Sequence, residues 1–140
     1  TPALKYLFDN RMNTAILATN GREHYPNTAP YNCIVAPDNR HLRIAVCKEN
    51  QTYANIMENG NIALAVVDEG DIAVCIKGNA KILPNHLNFD FNIAVIDIEI
   101  NEIRRNNSTM FYVSQGIRTQ HKNEQSLVNY RKLRYELTHL

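Results

Sequence analysis

The sequence predicts a mostly antiparallel β-barrel with flanking helices. Three observations predict it. Six or seven apolar runs of strand length recur at close intervals along 140 residues. Several alternate between apolar and polar positions, the period of a strand with one buried face. Turn signals separate them, and helical patterns stand at both ends of the chain. Helices closing the ends favour a small barrel over an immunoglobulin-type sandwich.

The elements follow in order. Pro2 to Met12 is predicted as a first helix, with Leu4, Leu7, Phe8 and Met12 on one face. Thr14 to Thr19 is a short strand that ends at Asn20-Gly21, a hairpin-turn signal. Pro26 to Ala36 is the returning strand, whose Pro26 and Pro30 do not fit a fully paired central position and leave an edge free. Pro37-Asp38-Asn39 turns the chain into a third strand, Leu42 to Cys47. A short helix, Thr52 to Asn59, comes next and closes at Gly60. Ile62 to Val67 is a strand, and Asp68-Glu69-Gly70-Asp71 is a turn. Ile72 to Leu83 alternates, with Gly78 marking a bend or bulge. Pro84 to Asn92 is expected as a connection with a short helical turn. Ile93 to Ile103 is a strand with Ile96, Ile98 and Ile100 inward and Asp97, Glu99 and Asn101 outward. Met110 to Val113 is expected as a last short strand. Asn123 to Leu140 is a helix with Leu127, Tyr130, Leu133, Leu137 and Leu140 on one face. Its other side, with Arg131, Lys132 and Arg134, is expected to be solvated.

Composition narrows the function. Hydrophobic residues at 44% and charged residues at 21% describe one globular domain over residues 1–140. A formal net charge of +1 excludes a strong global pull toward nucleic acid. No apolar run has the length of a membrane span, and no basic-then-apolar start predicts a signal peptide. Cys33, Cys47 and Cys75 are odd in number and widely spaced, each beside Ile or Val. They predict buried free thiols in a reducing cytoplasm rather than a disulfide framework or a zinc site. The five histidines are scattered and pair with no cysteine at ligand spacing.

The stretch from Ile44 to Asn55 carries the functional signal. It starts apolar, turns polar at Lys48 and enters the 52–59 helix, with Asn50 or Thr52 placed to cap it. A helix start holds unpaired N–H groups and the positive end of the dipole, so it favours an anion. Lys48 adds charge, and Gln51 and Thr52 add donors suited to a phosphate. The same residues also fit an ordinary strand–turn–helix connection.

Five segments in order carry a resemblance. They are Ala15-Ile16-Leu17-Ala18-Thr19; Asn27-Thr28-Ala29-Pro30-Tyr31; Ile44-Ala45-Val46 with Gln51-Thr52-Tyr53-Ala54-Asn55-Ile56; Ala63-Leu64-Ala65-Val66; and Ile76-Lys77-Gly78-Asn79-Ala80. Over roughly Leu4 to Ile100 the chain resembles the FMN-binding split-barrel family, which includes pyridoxamine-phosphate-oxidase-like proteins and small bacterial FMN-binding proteins. The resemblance implies a six-stranded split barrel that forms a homodimer and binds FMN in a groove at the dimer interface. It implies that Asn27, Thr28 and Ala29 line the flavin ring. Ala45, Val46 and Cys47 would pass beneath the ring and ribityl chain. Gln51 and Thr52 would hold the phosphate, with Lys48 nearby.

The chain also departs from that family. Gln51 stands where the family usually has Lys or Arg, and Glu49 offsets Lys48, which predicts limited affinity for the phosphate. The chain has no Trp, so no indole stacks on the flavin. The arginine-and-tryptophan signature of true pyridoxamine phosphate oxidases is missing at the C-terminus, which argues against vitamin B6 oxidation. Three readings follow. One is an FMN-dependent oxidoreductase passing electrons from a reduced nicotinamide to a small acceptor. Another is a non-catalytic FMN carrier. The third is a barrel that has lost FMN and binds something else. A flavin enzyme needs few protein acids, so the lack of an obvious triad decides nothing between them.

Overall fold

The computed structural model describes residues 2–10, 14–87 and 90–140. Its elements run α1 (Pro2–Asn10), β1 (Ala15–Thr19), β2 (Asn27–Tyr31), β3 (Ile34–Val35), β4 (His41–Cys47), α2 (Gln51–Glu58), β5 (Asn61–Asp68), β6 (Ile72–Leu87), β7 (Asp90–Arg105) and α3 (Glu124–Thr138). The seven strands form one sheet in the order β2-β1-β5-β6-β7-β4-β3. Every pairing is antiparallel. The predicted class is therefore the observed one, with seven strands rather than six.

Chain connectivity forces the sheet to curl. β2 and β3 are its opposite edges, yet only Asn32 and Cys33 separate them in sequence. Three Cα steps span at most about 11 Å. Laid flat, the two edges would stand roughly 29 Å apart at the usual strand spacing. The sheet must bend round until its edges nearly meet, giving a half-barrel with a seam between β2 and β3.

The inside of the curl is the main core. Leu17, Ile34, Leu42, Ile44, Leu64, Ile76, Ile96 and Ile98 fill it, with Phe8 of α1 packed against them. A second cluster lies on the outer face, where Cys33, Val35 and Val95 are covered by Leu137 of α3. Burial of both faces explains why Ala94-Val95-Ile96 is an unbroken apolar run rather than an alternating one. The bulge expected at Gly78 is present: the β6–β7 register slips between Lys77 and Gly78. A Cβ on Gly78 would run into the Glu99 carbonyl, so only glycine fits the close approach.

Several expectations are corrected. The 26–36 strand is two strands, broken at Asn32-Cys33, because the chain must cross the seam there. Asn20-Gly21 is not a two-residue hairpin turn, since Thr19 pairs with Asn27 and the loop spans 20–26. Gly21 serves a contact instead: a Cβ there would meet the Asn55 side chain. The 84–92 stretch is not a helical connection. β6 continues through Pro84 to Leu87, and β7 starts at Asp90. The register shifts between Ile82 and His86, where Pro84 cannot donate to the ladder. Met110 to Val113 is not a strand: Met110 N–H donates to Ser108 Oγ and Val113 bonds to Asp71, and the stretch joins no ladder. Met110, Phe111 and Tyr112 are exposed. Helix α2 starts one residue earlier than expected, at Gln51, and ends at Glu58. Asn59, extended at φ −149°, is its C-cap. Gly60 is needed for closeness, as a Cβ would lie 2.7 Å from the Ala80 carbonyl. Leu4, Leu7 and Phe8 form the buried face of α1, and Met12 lies outside the described residues.

Candidate functional site

The turn between β4 and α2 is built by backbone bonds. Asn50 N–H donates to the Cys47 carbonyl at 3.0 Å, and Lys48 N–H donates to the Asn92 carbonyl at 2.9 Å, which pins the turn to β7. The Asn92 amide also reaches Cys47 Sγ at 3.6 Å. Asn50 stands at the N-cap of α2 in extended backbone, but its side chain makes no capping bond. The start of α2 is therefore left without the side-chain acceptor that usually serves its first N–H groups. That is the donor set and dipole end an anion would use.

The side chains predicted there behave differently from one another. Gln51 donates through Nε2 to Asn55 Oδ1 at 2.8 Å, and Asn55 Nδ2 donates to Thr19 Oγ1 at 3.0 Å. Asn55 and Thr19 are buried, so this chain of amides ties α2 to β1. Thr52 is buried as well. Lys48 is half-buried and Glu49 beside it is exposed. Arg22 is engaged with Glu58 at 2.9 Å, at the far end of α2.

The strand residues divide by face. On β4, Val46 points into the core, while Ala45 and Cys47 lie on the outer face. Val46 can therefore offer a ligand only its backbone. On β2, Asn27 and Ala29 sit opposite the buried Thr19 and Leu17 of β1, and Thr28 sits opposite Ala18 on the exposed face. β2 pairs only with β1, so the ladder leaves its other edge open, as the prolines predict. Helix α2 packs against both β2 and β4 and so brings the three predicted segments around one element.

A pocket of about 290 Å³ opens at the seam. Pro30 and Tyr31 of β2 line it with Asn32 and Cys33 of the link and Ala45 of β4. Thr14, Thr119 and Leu133 of α3 complete it. Of the nine predicted site residues only Ala45 lines this pocket, and none lines the larger ones of about 600 and 350 Å³. Burial pushes the Cys33 thiol up to about 11 despite the nearby Arg134 guanidinium, so it stays protonated. Burial also raises the Tyr130 phenol.

Sequence reasoning missed Asn55, Tyr31 and the α3 wall. The four-residue spacing of Gln51 and Asn55 on a helix was an available signal for the first. Nothing local announces that Thr119 will meet Thr14, their hydroxyls 3.1 Å apart across the fold.

The family model described as pyridoxamine 5'-phosphate oxidase matches residues 1–106. The chain belongs to the pyridoxamine 5'-phosphate oxidase family. This agrees with the FMN-binding split-barrel resemblance seen in the sequence. HupZ of Group A Streptococcus has the same fold at 23% identity, with a TM-score of 0.65 over 83% of this chain and 98% of that one. An FMN-binding protein from Syntrophomonas wolfei is similar at 17% identity and TM-score 0.60, over 74% of this chain and 84% of that one. HutZ, the heme storage protein of Vibrio cholerae, is similar at 10% identity and TM-score 0.60, over 82% and 95%. A search among curated proteins finds no match. The family match ends before α3, so the segment that walls the seam pocket lies outside the shared region. Among the described residues no helix is long and apolar enough to cross a membrane.

Proposed function

We propose that the protein binds FMN along the seam and passes electrons from a reduced nicotinamide through it to a small acceptor, acting as a homodimer whose interface completes the groove. The observation that carries this reading is the start of α2: a helix N-terminus with no side-chain cap, held against both β2 and β4. Family membership and the FMN-binding neighbour support it. Bound FMN would supply the hydride and single-electron chemistry, and the protein would bind, orient and shield it. The open edge at Asn27, Thr28 and Ala29 suits the polar edge of a ring. The outer face at Ala45 and Cys47 suits its apolar plane. The N–H groups at Gln51 and Thr52, with Lys48 nearby, suit the phosphate.

The donors fit an anion, but the net side-chain charge is low, because Glu49 offsets Lys48 and the Gln51 amide is already bonded to Asn55. Limited affinity and partial loading on purification follow. FMN titration by fluorescence quenching tests this. Gln51→Lys should tighten binding about fivefold through a charge-assisted bond. Thr52→Ala should weaken it. Equal binding by all three proteins would reject the phosphate assignment. Sedimentation should show a dimer, and a 16.0 kDa species alone would reject the interface. Consumption of NADH or NADPH by the flavin-loaded protein separates the oxidoreductase from a flavin carrier. The low charge also favours a second reading, a barrel that holds another ligand at the seam. A colourless protein that takes up no added FMN selects it.

A further inference from the structure

We infer that the mouth of the half-barrel is a second ligand site, and that it takes a small zwitterion with an apolar body, an apolar amino acid. A pocket of about 600 Å³ opens where the turn between β5 and β6, the end of β7 and the start of α1 meet. That volume falls within the ~300–1,000 Å³ of small-molecule sites. Ile72 and Val74 of β6, Ile103 of β7 and Leu4 of α1 form its apolar floor. Leu4 belongs to the main core and the other three pack against that core, so the floor is the open end of the core itself.

Two opposite charges stand on the rim, Arg105 and Asp71. The β6–β7 register sets Arg105 opposite Val74 and Ile103 opposite Ile76. Val74 and Ile76 both face the core, so Arg105 leaves β7 on the inner face of the sheet, next along from Ile103. Its neighbour Arg104 is held by Glu102 at 2.9 Å, but among the described residues Arg105 has no ion pair or hydrogen-bond partner. Asp71 is fixed in the turn. It follows Gly70 with a positive φ of 59°. Its N–H donates to the Val113 carbonyl at 3.1 Å, and its Oδ1 accepts from the Val113 N–H at 2.9 Å. The Asn107 amide donates to its carbonyl. Among the described residues these bonds leave Asp71 Oδ2 without a partner. Asp71 stands roughly 10 Å along the strand from Val74, and Arg105 lies beside Val74. The two charges therefore flank a gap and do not bridge each other.

An apolar amino acid meets each of these features. Its carboxylate accepts from the Arg105 guanidinium, its ammonium donates to the Asp71 carboxylate, and its side chain covers the apolar floor. A simple carboxylate would set a like charge near Asp71, and a simple amine would set one near Arg105. The pocket shares none of the residues that the flavin reading uses, so failure of FMN to bind bears on that reading and not on this one.

The test titrates L-phenylalanine into the whole chain by NMR at about pH 6.5, where its amine is protonated. Phenylalanine should bind with a Kd on the order of 1 mM, as its size allows, and should shift the signals of Ile72, Val74 and Ile103. Glycine has both charges and no apolar body, and should bind at least about tenfold more weakly. N-acetylphenylalanine lacks the ammonium and phenylalanine amide lacks the carboxylate, so each should bind about fivefold more weakly. Arg105→Gln should weaken phenylalanine and N-acetylphenylalanine about fivefold and leave the amide unchanged. Arg105 is exposed and unpaired, so this substitution does not act through the fold. Asp71→Asn should weaken phenylalanine and the amide by a similar factor and leave N-acetylphenylalanine unchanged. Asparagine keeps an acceptor for the Val113 N–H and suits the positive φ, so the melting temperature should hold. No binding of phenylalanine, glycine binding as tightly, shifts confined to other residues, or both variants binding like the wild type would each overturn the inference.

Discussion

Arg134 should be the clasp that holds α3 to the barrel. The sequence places it on the basic, solvated side of the helix. In the structure its Nη2 donates to the Phe8 carbonyl at 2.6 Å and the Asp9 carbonyl at 3.0 Å, and its Nη1 donates to the Ile34 carbonyl at 3.2 Å. Two of these acceptors belong to the last turn of α1, where the dipole favours a cation. A hydrogen bond to a charged donor contributes about 1.5–3 kcal/mol, and the helix-end charge adds roughly 0.3–1 kcal/mol. Arg134 is only half-buried, so water recovers part of this when the side chain is removed. A net loss of about 2–3 kcal/mol for Arg134→Ala is the expected result. For a chain of this size that lowers Tm by roughly 6–9 °C. Scanning calorimetry measures it, with the exposed Arg131→Ala as control. Arg134→Lys should recover less than half of the loss, since one ammonium cannot reach three carbonyls in the guanidinium geometry. Cys33 lies under α3 and should react faster with a thiol reagent in Arg134→Ala, read peptide by peptide in the mass spectrometer. If Arg134→Ala and Arg131→Ala melt within about 1 °C of each other, the clasp does not exist.

Asn55→Ala removes the bonds to Gln51 and Thr19 and leaves a buried hydroxyl unpaired, so it should cost about 1–3 kcal/mol in denaturant unfolding. Gly78→Val should lower expression and Tm sharply, because its Cβ would run into the Glu99 carbonyl at the β6–β7 bulge. The Cys33 thiol is raised from 9.0 to about 11 in the fold, so between those pH values the unfolded chain loses a proton that the folded chain keeps. Its contribution is whole below pH 9.0 and lost as pH rises through about 11, and Tyr130 acts in the same direction. Equilibrium unfolding should weaken across that window in the wild type and less steeply in Cys33→Ala. At pH 8.0 only about a thousandth of Cys33 is thiolate, so it should be the slowest of the three cysteines to alkylate.

The fold was legible where a residue's neighbour in sequence predicts its neighbour in space. The alternation from Ile72 to Ile82 and from Ile96 to Ile100 gave the inward faces directly, and the glycine at 78 gave the bulge. Legibility failed where an isolated chemical cue had a distant cause. Gly21 looked like a turn glycine but is small for the sake of Asn55 on α2. Pro84 looked like a strand terminator but is absorbed by a register shift in a long hairpin. Arg134 looked solvated because helical periodicity sorts residues into faces and cannot show carbonyls from α1 and β3 arriving beside one of them. The site was legible in the same uneven way. The turn after β4 and the uncapped helix start behind it are local features that a reading of the sequence reaches. The seam pocket draws on Thr14, Ala45, Thr119 and Leu133, and no spacing rule connects them.

The candidate site sits at the seam because that is where an antiparallel barrel of this connectivity has backbone to spare. Inside the sheet each strand has two partners, and its N–H and C=O groups are spent on the ladder. At β2 and β3 the ladder serves one side only. An unpaired edge facing an apolar partner would carry the full cost of unmet polar groups. Pro26 and Pro30 reduce that cost by removing donors at and beside the edge strand, and Pro30 presents apolar ring surface to the pocket at the same point. The two helices then divide the seam. α2 packs across β1, β2, β4 and β6 with its uncapped start beside the β4 turn, an end suited to anions. α3 covers the outer face of β3 and β4 with Leu133 and Leu137, an end suited to apolar, neutral groups. Leu133→Lys should loosen α3 from that face, and a lowered melting temperature would report it.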